Sequence, residues 1–497
     1  MSAGSAVPLV PDPGRLRGLL DALRAAEFTS DRVEATLGTH ELSSRPADTA
    51  VHLRRLGDDA FSTLARLFLL DASVGAAVAA GAFGELGVDG AAALGLVRRD
   101  GGEVVARARL VPHGELWVAS DGGPGDGLPA YDHVPGIQAP SVTLAKVAVR
   151  RPVPAALDLG TGCGIQALLA ARHAERVVAT DVNPRALTYA AFNASLNEVE
   201  NVELREGAGF EPVAGERFGL IVSNPPYVLS PDSDYAYRDS GLVGDAVCRA
   251  LVEQAPSALE EGGFAHVLVS WAHERDGDPY VPLRAWVERR GCDAWLLHYK
   301  TEDPLTHAAG WLRPLAEARP DEHPAALDRW VAYLERLGVD AVGYGAIVLR
   351  RRAAARNWVA EDTLPLDRLE PAGEHTLRVF AGHDVVDALR SDALLGEPLR
   401  LVPHRLRQTI VAHDGGFVVE EQTLELADGL RFQLGIDRHT ASLLPHFDGE
   451  RPLREVLGRA SATFDLDAGE RAGFVPAALP VVRRLLELGF LERAEPA

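Results

Sequence analysis

A glycine-rich run carries the strongest chemical signal in the sequence. It follows an apolar segment, opens a predicted helix and consists of Asp158, Leu159, Gly160, Thr161, Gly162, Cys163 and Gly164. Glycines allow the backbone to turn tightly and to approach a ligand closely, and such a loop can direct N–H groups at a ligand carboxylate. About twenty residues later a second apolar segment ends at Asp181, where a carboxylate can accept both hydroxyls of a ribose. This order predicts a site for a ribose-containing ligand.

A second motif follows the apolar segment Phe218–Ser223 and consists of Asn224, Pro225, Pro226 and Tyr227. The prolines fix the backbone and remove two N–H donors, so that neighbouring carbonyls stay free as acceptors. The asparagine amide offers both an acceptor and a donor, and the tyrosine ring can stack on a planar group. The motif therefore suits a planar –NH2 group, and it argues against a dinucleotide site or a purely structural glycine turn.

Alternating strands and helices must position both motifs. Seven apolar segments between residues 150 and 350 are predicted strands: Ala155–Leu159, Arg176–Thr180, Val202–Leu204, Gly219–Ser223, Ala265–Ser270, Ala294–Tyr299 and Ala341–Arg350. A helix over Gln166–Ala174 follows the glycine run, and residues 303–338 form a helical insert. The pattern predicts an α/β doubly wound sheet, whose ligands bind at the carboxyl ends of the strands.

The flanking regions have other periodicities. Residues 1–80 are predicted to be helical, with helices at Arg15–Ala26 and Ala60–Leu70, and short strands are expected at 94–97, 104–111 and 116–119. In the C-terminal part we predict strands at Phe417–Glu420 and Gly429–Leu434 and helices at His439–Leu444 and Ala478–Leu488. Its helices and Asp-Gly turn resemble a winged helix, and a plain packing or dimerisation domain is the alternative.

Together, Asp158–Gly164 and Asn224–Tyr227 resemble the class I S-adenosylmethionine-dependent methyltransferases of the NPPY group. That group includes the HemK-like release-factor glutamine methyltransferases and the exocyclic-amine methyltransferases of DNA and RNA. The resemblance implies a Rossmann-like, seven-stranded sheet. It also implies S-adenosyl-L-methionine as cofactor, bound by Asp158, Leu159, Gly160, Thr161, Gly162, Gly164, Asp181, Val182, Ala208 and Asn224. The sequence departs from the family after the third strand, where Glu206-Gly-Ala-Gly-Phe210 lacks the frequent aspartate.

The resemblance implies a catalytic role for Asn224, Pro225 and Tyr227. An amide or aryl amine nitrogen is a poor nucleophile because its lone pair is delocalised. If the Asn224 oxygen and the Pro225 carbonyl accept its two N–H bonds, the lone pair turns toward the methyl group. These acceptors also stabilise the positive charge that develops on nitrogen in the transition state. We name no general base.

Several residues near the motifs are candidate substrate contacts. Pro226 and Tyr227 are expected to touch the acceptor. Tyr235, Tyr237 and Arg238 form either a substrate lid or an ordered loop packed on the sheet. Trp271 either lines the substrate pocket or packs in the core, which is the favoured interpretation. Asp132 and His133 precede the glycine run by about twenty residues, where many such enzymes cover the cofactor.

The composition of the chain limits the substrates, the kinds of site and the cell compartment that we expect. The formal net charge of −21 repels polyanions and disfavours RNA. Three scattered cysteines exclude a disulfide scaffold and a clustered zinc site, and no metal is expected. Without a signal peptide or an apolar run of membrane-spanning length, we expect a cytoplasmic protein.

We therefore predict an N-methyltransferase that acts on a planar amide or amine nitrogen of a protein, peptide or small molecule. The alternatives are an RNA exocyclic-amine methyltransferase and a non-catalytic scaffold that binds the cofactor. The expected parts are a helical domain (1–85), a strand-rich linker (86–149), the methyltransferase domain (150–355) and an α+β winged-helix-like domain (365–497). The acceptor and the oligomeric state cannot be derived from the sequence.

Overall fold

A computed structural model of the chain describes residues 9–39, 46–123, 127–239, 241–413, 415–464 and 468–494. It divides into two compact units. The first consists of Met1–Leu144 and Pro152–Asp362, and the second of Ala145–Arg151 and Thr363–Ala497. The four-part division expected from the sequence stays a prediction.

The N-terminal part of the first unit contains short helices and two small antiparallel sheets. Its elements are α1 (Pro13–Ala25), α2 (Ser30–Leu37), α3 (Pro46–Arg55), α4 (Ala60–Phe68), β1 (Val74–Gly75), α5 (Ala76–Phe83), α6 (Gly87–Ala93), β2 (Val97–Asp100), β3 (Glu103–Ala106), β4 (Arg109–His113) and β5 (Leu116–Ser120). The sheet orders are β1-β3-β2 and β4-β5. The strand predicted at 94–97 is wrong because a turn after α6 delays the strand to Val97, and the strand predicted at 104–111 is split into two.

All seven predicted strands of the central region are present. Its elements are α7 (Ala139–Val147), β6 (Val153–Leu159), α8 (Ile165–Ala170), β7 (Ala174–Asp181), α9 (Pro184–Leu196), β8 (Val202–Glu206), β9 (Phe218–Ser223), α10 (Ala246–Ala258), β10 (Leu259–His273), α11 (Val281–Val287), β11 (Cys292–Glu302), α12 (Pro304–Trp311), α13 (Arg313–Ala318), α14 (His323–Arg336), β12 (Ala341–Arg351) and β13 (Val359–Thr363). The helix predicted over 166–174 ends earlier, since His173 N–H bonds to Ala170 and Ala174 already belongs to β7.

These strands form one sheet in the order β13-β11-β12-β10-β9-β6-β7-β8. Strands β10, β9, β6, β7 and β8 pair in parallel, whereas β12 is antiparallel to both β10 and β11. The predicted α/β, Rossmann-like doubly wound fold is confirmed, and β13 adds an eighth strand at its edge. The chain reverses its direction of winding between β6 and β9, so ligands of such sheets bind at the carboxyl ends of these two strands.

A hydrophobic core joins the N-terminal helices to helices α8 and α9, which flank the central sheet. Leu19, Leu23 and Phe28 are fully buried in the same cluster as Phe192 of α9. Apolar side chains recur along α1 at helical spacing, which gives the helix the stripe that it buries here. The N-terminal segment and helices α8 and α9 therefore share one core within the first unit.

The second unit is an α+β structure, as predicted. It contains α15 (Gly373–Ala388), α16 (Ser391–Leu394), β14 (Pro398–Leu401), β15 (His404–His413), β16 (Gly416–Leu426), β17 (Gln433–Gly435), α17 (Arg438–Leu443), β18 (Asp448–Pro452), α18 (Leu453–Thr463), α19 (Ala468–Glu487) and β19 (Leu491–Arg493). The sheets are ordered β18-β14-β19 and β15-β16-β17. The strand predicted at 429–434 is largely wrong, because residues 429–430 form a turn and pairing starts at Gln433. Likeness to a winged helix stays a prediction.

Candidate active site

Two adjacent strands bring the glycine loop and the Asn-Pro-Pro-Tyr motif to the same level. Strands β6 and β9 are parallel, and Leu159 is the partner of Ser223 at their carboxyl ends. The Ser223 hydroxyl donates a hydrogen bond of 2.9 Å to the Leu159 carbonyl. The Leu159 side chain itself is buried. Gly160 and Asn224 are thus the first residues after this hydrogen-bonded pair, and the two motifs begin side by side.

Asp158 holds the glycine loop by hydrogen bonds from the sheet side. Its side chain is buried, and Oδ2 accepts hydrogen bonds from Thr161 Oγ1 at 2.6 Å and from the Ala167 N–H at 2.9 Å. The second bond satisfies a free donor in the first turn of α8. Burial raises the pKa of Asp158 to about 7, and the carboxylate of Asp181 contributes in the same direction. Asp158 therefore acts on a ligand through the loop that it holds.

The three glycines of the loop have left-handed backbones but different surroundings. Gly160 has φ +74° and Gly162 has φ +54°, and a Cβ at either position would meet no atom within 4 Å. At Gly164, with φ +87°, a Cβ would lie 3.1 Å from Ala190 Cα. The first two glycines therefore border open space that a ligand can fill, and the third brings the loop against α9.

Asp181 stands at the end of β7 beside this open space. Its Oδ2 accepts the Gly162 N–H and its Oδ1 accepts the Asn183 N–H, both at 2.9 Å. Each oxygen keeps a lone pair for a ligand hydroxyl, and burial raises the pKa of Asp181. Val182 and Ala208 are exposed beyond it. The predicted ribose residue and its neighbours are thus at the same edge as the glycine loop.

The acceptor motif combines a free amide with a rigid backbone. Asn224 is half-buried, and its side chain has no hydrogen bond to any residue that the structure describes. Pro225 is buried and Pro226 half-buried. The Tyr227 ring meets Trp311 edge to face at 6.5 Å, its carbonyl accepts the Ser270 hydroxyl, and burial raises the pKa of its phenol. The Asn224 amide is therefore available to a ligand, next to a fixed aromatic ring.

The loop after this motif is anchored by a buried ion pair. Arg238 donates to both oxygens of Asp239, at 2.8 and 2.9 Å, and both side chains are almost fully buried. The Arg238 guanidinium lies 4.6 Å from the Tyr235 ring centre and 5.3 Å from that of Trp330. Arg238 is therefore engaged within the protein and is not a free substrate contact, which leaves the half-buried Tyr235 and Tyr237 as the partly exposed residues of the predicted lid.

Residues 131–133, here called the roof segment, connect the two sides of the site. The Ala236 N–H donates to the Tyr131 carbonyl at 2.9 Å, and the His133 and Tyr237 rings meet at 5.7 Å. On the other side, Asn183 Nδ2 donates to the Asp132 carbonyl at 3.0 Å. The roof segment therefore bridges the loop after the acceptor motif and the turn that follows Asp181.

Trp271 differs from the substrate contact predicted for it. Its side chain is fully buried, and its indole N–H donates to the Pro279 carbonyl at 2.7 Å. The ring packs so closely on Gly343 that a Cβ there would lie 2.5 Å from it. The structure gives Trp271 a packing role in the core, the interpretation that the sequence also favoured.

Sequence reasoning missed Asp121, which supports the roof segment. Its carboxylate accepts the Val134 N–H at 2.8 Å, the Tyr189 hydroxyl at 2.6 Å and Arg185. The detectable signal was on α9, where Arg185, Tyr189, Asn193 and Asn197 recur every fourth residue. Such spacing places polar side chains on one face of a helix, here a face that packs inward.

Two kinds of feature are absent from the part of the chain that the structure describes. No helix there has both the length and the apolar character to cross a membrane. Within the same ranges, no group of three histidine, cysteine or acidic side chains is arranged as metal ligands.

Comparisons with known proteins identify the central segment. Residues 141–275 match the family described as methyltransferase small domain, and residues 25–107 and 383–493 match two domains of unknown function, DUF7059 and DUF7782. The release factor glutamine methyltransferase of Xylella fastidiosa (strain Temecula1) is 40% identical over 126 residues, which cover 23% of this chain and 46% of the relative. That of Yersinia pestis is 39% identical over 127 residues, with the same two shares.

The chain thus spans about half the length of the curated relatives it matches. Among solved structures, Trm5b from Pyrococcus abyssi aligns with 52% of this chain and 62% of its own, at 15% identity and a TM-score of 0.30.

Proposed function

We propose that the chain is a class I S-adenosylmethionine-dependent N-methyltransferase of the HemK-like group, because residues 141–275 match the methyltransferase small domain and the curated relatives are release factor glutamine methyltransferases. The methyl group is transferred to a planar amide or amine nitrogen of a protein, peptide or small molecule.

One observation carries the proposal. The glycine loop and the acceptor motif leave β6 and β9 at paired residues, tied by the hydrogen bond from Ser223 to Leu159. Strand neighbours are about 4.8 Å apart. A donor held by the loop and a nitrogen held by Asn224 would therefore be adjacent, as direct transfer requires.

The donor side fits S-adenosylmethionine. Gly160 and Gly162 border open space, and Asp181 keeps lone pairs for ribose hydroxyls. In this proposal the glycine loop holds the methionine part, and Val182 packs against the base. When bound, the cofactor supplies a methyl group activated by a sulfonium. The carboxylate of Asp181 at this edge suits that positive charge.

The acceptor side would work by hydrogen bonding, and the nitrogen would lose one of its two N–H protons to solvent after the methyl group is transferred. Asn224 Oδ1 and the Pro225 carbonyl accept the two N–H bonds of a planar nitrogen and orient its lone pair. Both acceptors are in place before reaction, so they stabilise positive charge on nitrogen without rearrangement. Tyr227 borders the nitrogen's plane, and the roof segment limits access of water from above.

The test of acceptor chemistry is Asn224→Ala. We expect methyl transfer to fall by at least a hundredfold, while binding of S-adenosylhomocysteine changes less than threefold. Asn201→Ala is the matched control. The Asn201 side chain donates to the Ala171 and Ala174 carbonyls and lies just before the amino end of β8, whereas the candidate site is at the carboxyl ends of the strands. Transfer that survives in Asn224→Ala would remove the proposed role.

The substrate class is tested with isotope-labelled S-adenosylmethionine in a fractionated lysate. We expect label in protein or in the small-molecule pool, because a net charge of −21 opposes a polyanion. The curated relatives are named for a protein substrate, which favours the protein fraction. Label in RNA would overturn the charge argument. Binding of the donor without label in any fraction would indicate a non-catalytic scaffold.

A further inference from the structure

One face of α9 and its C-cap carries polar residues at every fourth position: Arg185, Tyr189 and Asn193 within the helix and Asn197 at the C-cap. Residues with this spacing lie one above the other on a helix. We call them the α9 stripe. A polar stripe usually faces solvent, but this one packs against strand β5 and the residue that follows it.

The stripe contacts alternate residues of that strand in order. Asn197 Oδ1 accepts the Trp117 N–H at 2.9 Å, and its Nδ2 donates to the Trp117 carbonyl at 2.7 Å. Asn193 repeats both bonds with Ala119, at 2.7 and 2.8 Å. Arg185 and Tyr189 then bind the Asp121 carboxylate.

The spacing of the polar residues along α9 matches the spacing of their partners along β5. Four helical residues rise about 6 Å, and two strand residues rise about 6.6 Å. The side-chain amides therefore act as a neighbouring strand for the free edge of the β4-β5 hairpin, whose backbone groups would otherwise be buried unpaired.

Asn193 makes one contact that Asn197 lacks. Its Nδ2 also donates to the Cys163 carbonyl at 2.8 Å, and Cys163 lies between Gly162 and Gly164 in the glycine loop. The Asn193 side chain is fully buried. One amide thus joins the donor loop to the N-terminal hairpin, with both N–H bonds and its oxygen in use.

We propose that Asn193 is a positioning residue of the donor site, which fixes the glycine loop against the N-terminal hairpin. The proposal rests on the proposed function, since it takes the glycine loop to bind the methyl donor. Gly160 and Gly162 border open space, so the conformation of this part of the loop depends on the few bonds that hold it. The bonds from Asp158 hold it from the sheet side, and Asn193 holds it from α9.

The test compares Asn193→Ala with Asn197→Ala in the full-length protein. Each variant loses the paired bonds to one residue of β5, so both should lower the thermal midpoint. Only Asn193→Ala also removes the hydrogen bond to the Cys163 carbonyl. We expect it to weaken binding of S-adenosylhomocysteine, measured by calorimetry, about tenfold, and Asn197→Ala to change it less than threefold. With saturating donor, the kcat of Asn193→Ala should stay within about threefold of wild type, because the acceptor motif is untouched.

Amide hydrogen exchange gives a second readout on the folded variants. Exchange across residues 160–164 should accelerate in Asn193→Ala and not in Asn197→Ala. If Asn193→Ala does not fold, Asn193→Ser replaces it in both measurements. Equal donor affinity and equal loop exchange in the two variants would overturn the proposal. Failure of the wild-type protein to bind S-adenosylhomocysteine would instead overturn the proposed function, which keeps the two failures distinct.

Discussion

At the scale of single residues, Asp158 links stability to pH. Its pKa is raised from 3.8 to about 7 in the folded protein, chiefly by burial. The folded state therefore binds this proton more tightly than the unfolded state. The stabilisation is complete below pH 3.8 and is lost as the pH rises through about 7.

The variant Asp158→Asn should remove this dependence, since the amide oxygen can still accept from Thr161 and Ala167. Between pH 5 and 7, we expect the wild-type free energy of unfolding to fall by up to about 1.4 kcal/mol per pH unit more steeply than that of the variant. Urea unfolding at several pH values measures both slopes. Parallel curves would contradict a raised pKa at this position.

At the scale of elements, the glycine loop and α9 are in unusually close contact at Gly164. Gly160→Ala adds only the left-handed backbone strain, about 1–2 kcal/mol, because its Cβ meets open space. Gly164→Ala adds the same strain and a Cβ at 3.1 Å from Ala190, and we expect a total loss of about 3 kcal/mol. Urea unfolding of both variants checks the order. A larger loss for Gly160→Ala would contradict the packing described.

The elements of the sheet were predictable because each strand is a continuous apolar run bounded by turns. The candidate site lies at the carboxyl ends of the strands that end at Leu159, Asp181 and Ser223. The proposed places of the methyl donor and of the acceptor could therefore be predicted from the order of these strands. Helix ends were less predictable. Ala171 and Ala174 favour a helix, but pairing of β7 with β6 prevails there.

The roof segment and the α9 stripe could not be derived in the same way. Their partners are far apart in sequence: Asn193 contacts Ala119, and Ala236 contacts Tyr131. Local periodicity reports on one element at a time and contains no information about which strand edge a polar face will meet. The stripe's spacing was visible, and only its inward direction required the structure.

At the scale of the molecule, the first unit depends on its N-terminal segment. Phe28 and Leu23 are buried with Phe192 in one core. A chain that starts at residue 121 would expose this face of α9 and leave Asn193 and Asn197 without strand partners. We expect that chain to aggregate or to bind a hydrophobic dye, whereas the full-length protein does neither.

The full-length variant Phe28→Ala provides the milder version of this experiment. We expect it to lower the free energy of unfolding by about 3–5 kcal/mol, because a fully buried ring is removed. Size-exclusion chromatography detects aggregation of the truncated chain, and urea unfolding measures the loss of stability in Phe28→Ala. A monomeric truncated chain that unfolds cooperatively would contradict a shared core.

The pairing of β6 with β9 has a consequence for altering which nitrogen compound is methylated. The glycine loop and the Asn-Pro-Pro-Tyr motif, which we propose to bind the donor and the acceptor, begin at the ends of two central strands whose spacing is fixed by the sheet. The roof segment and residues 235–239 contact each other around that fixed pair and contribute no strand to it. In the proposed function, the choice of acceptor and the transfer of the methyl group would therefore depend on separable stretches of chain. Grafted loops could redirect the enzyme to another acceptor while the catalytic frame remains as it is.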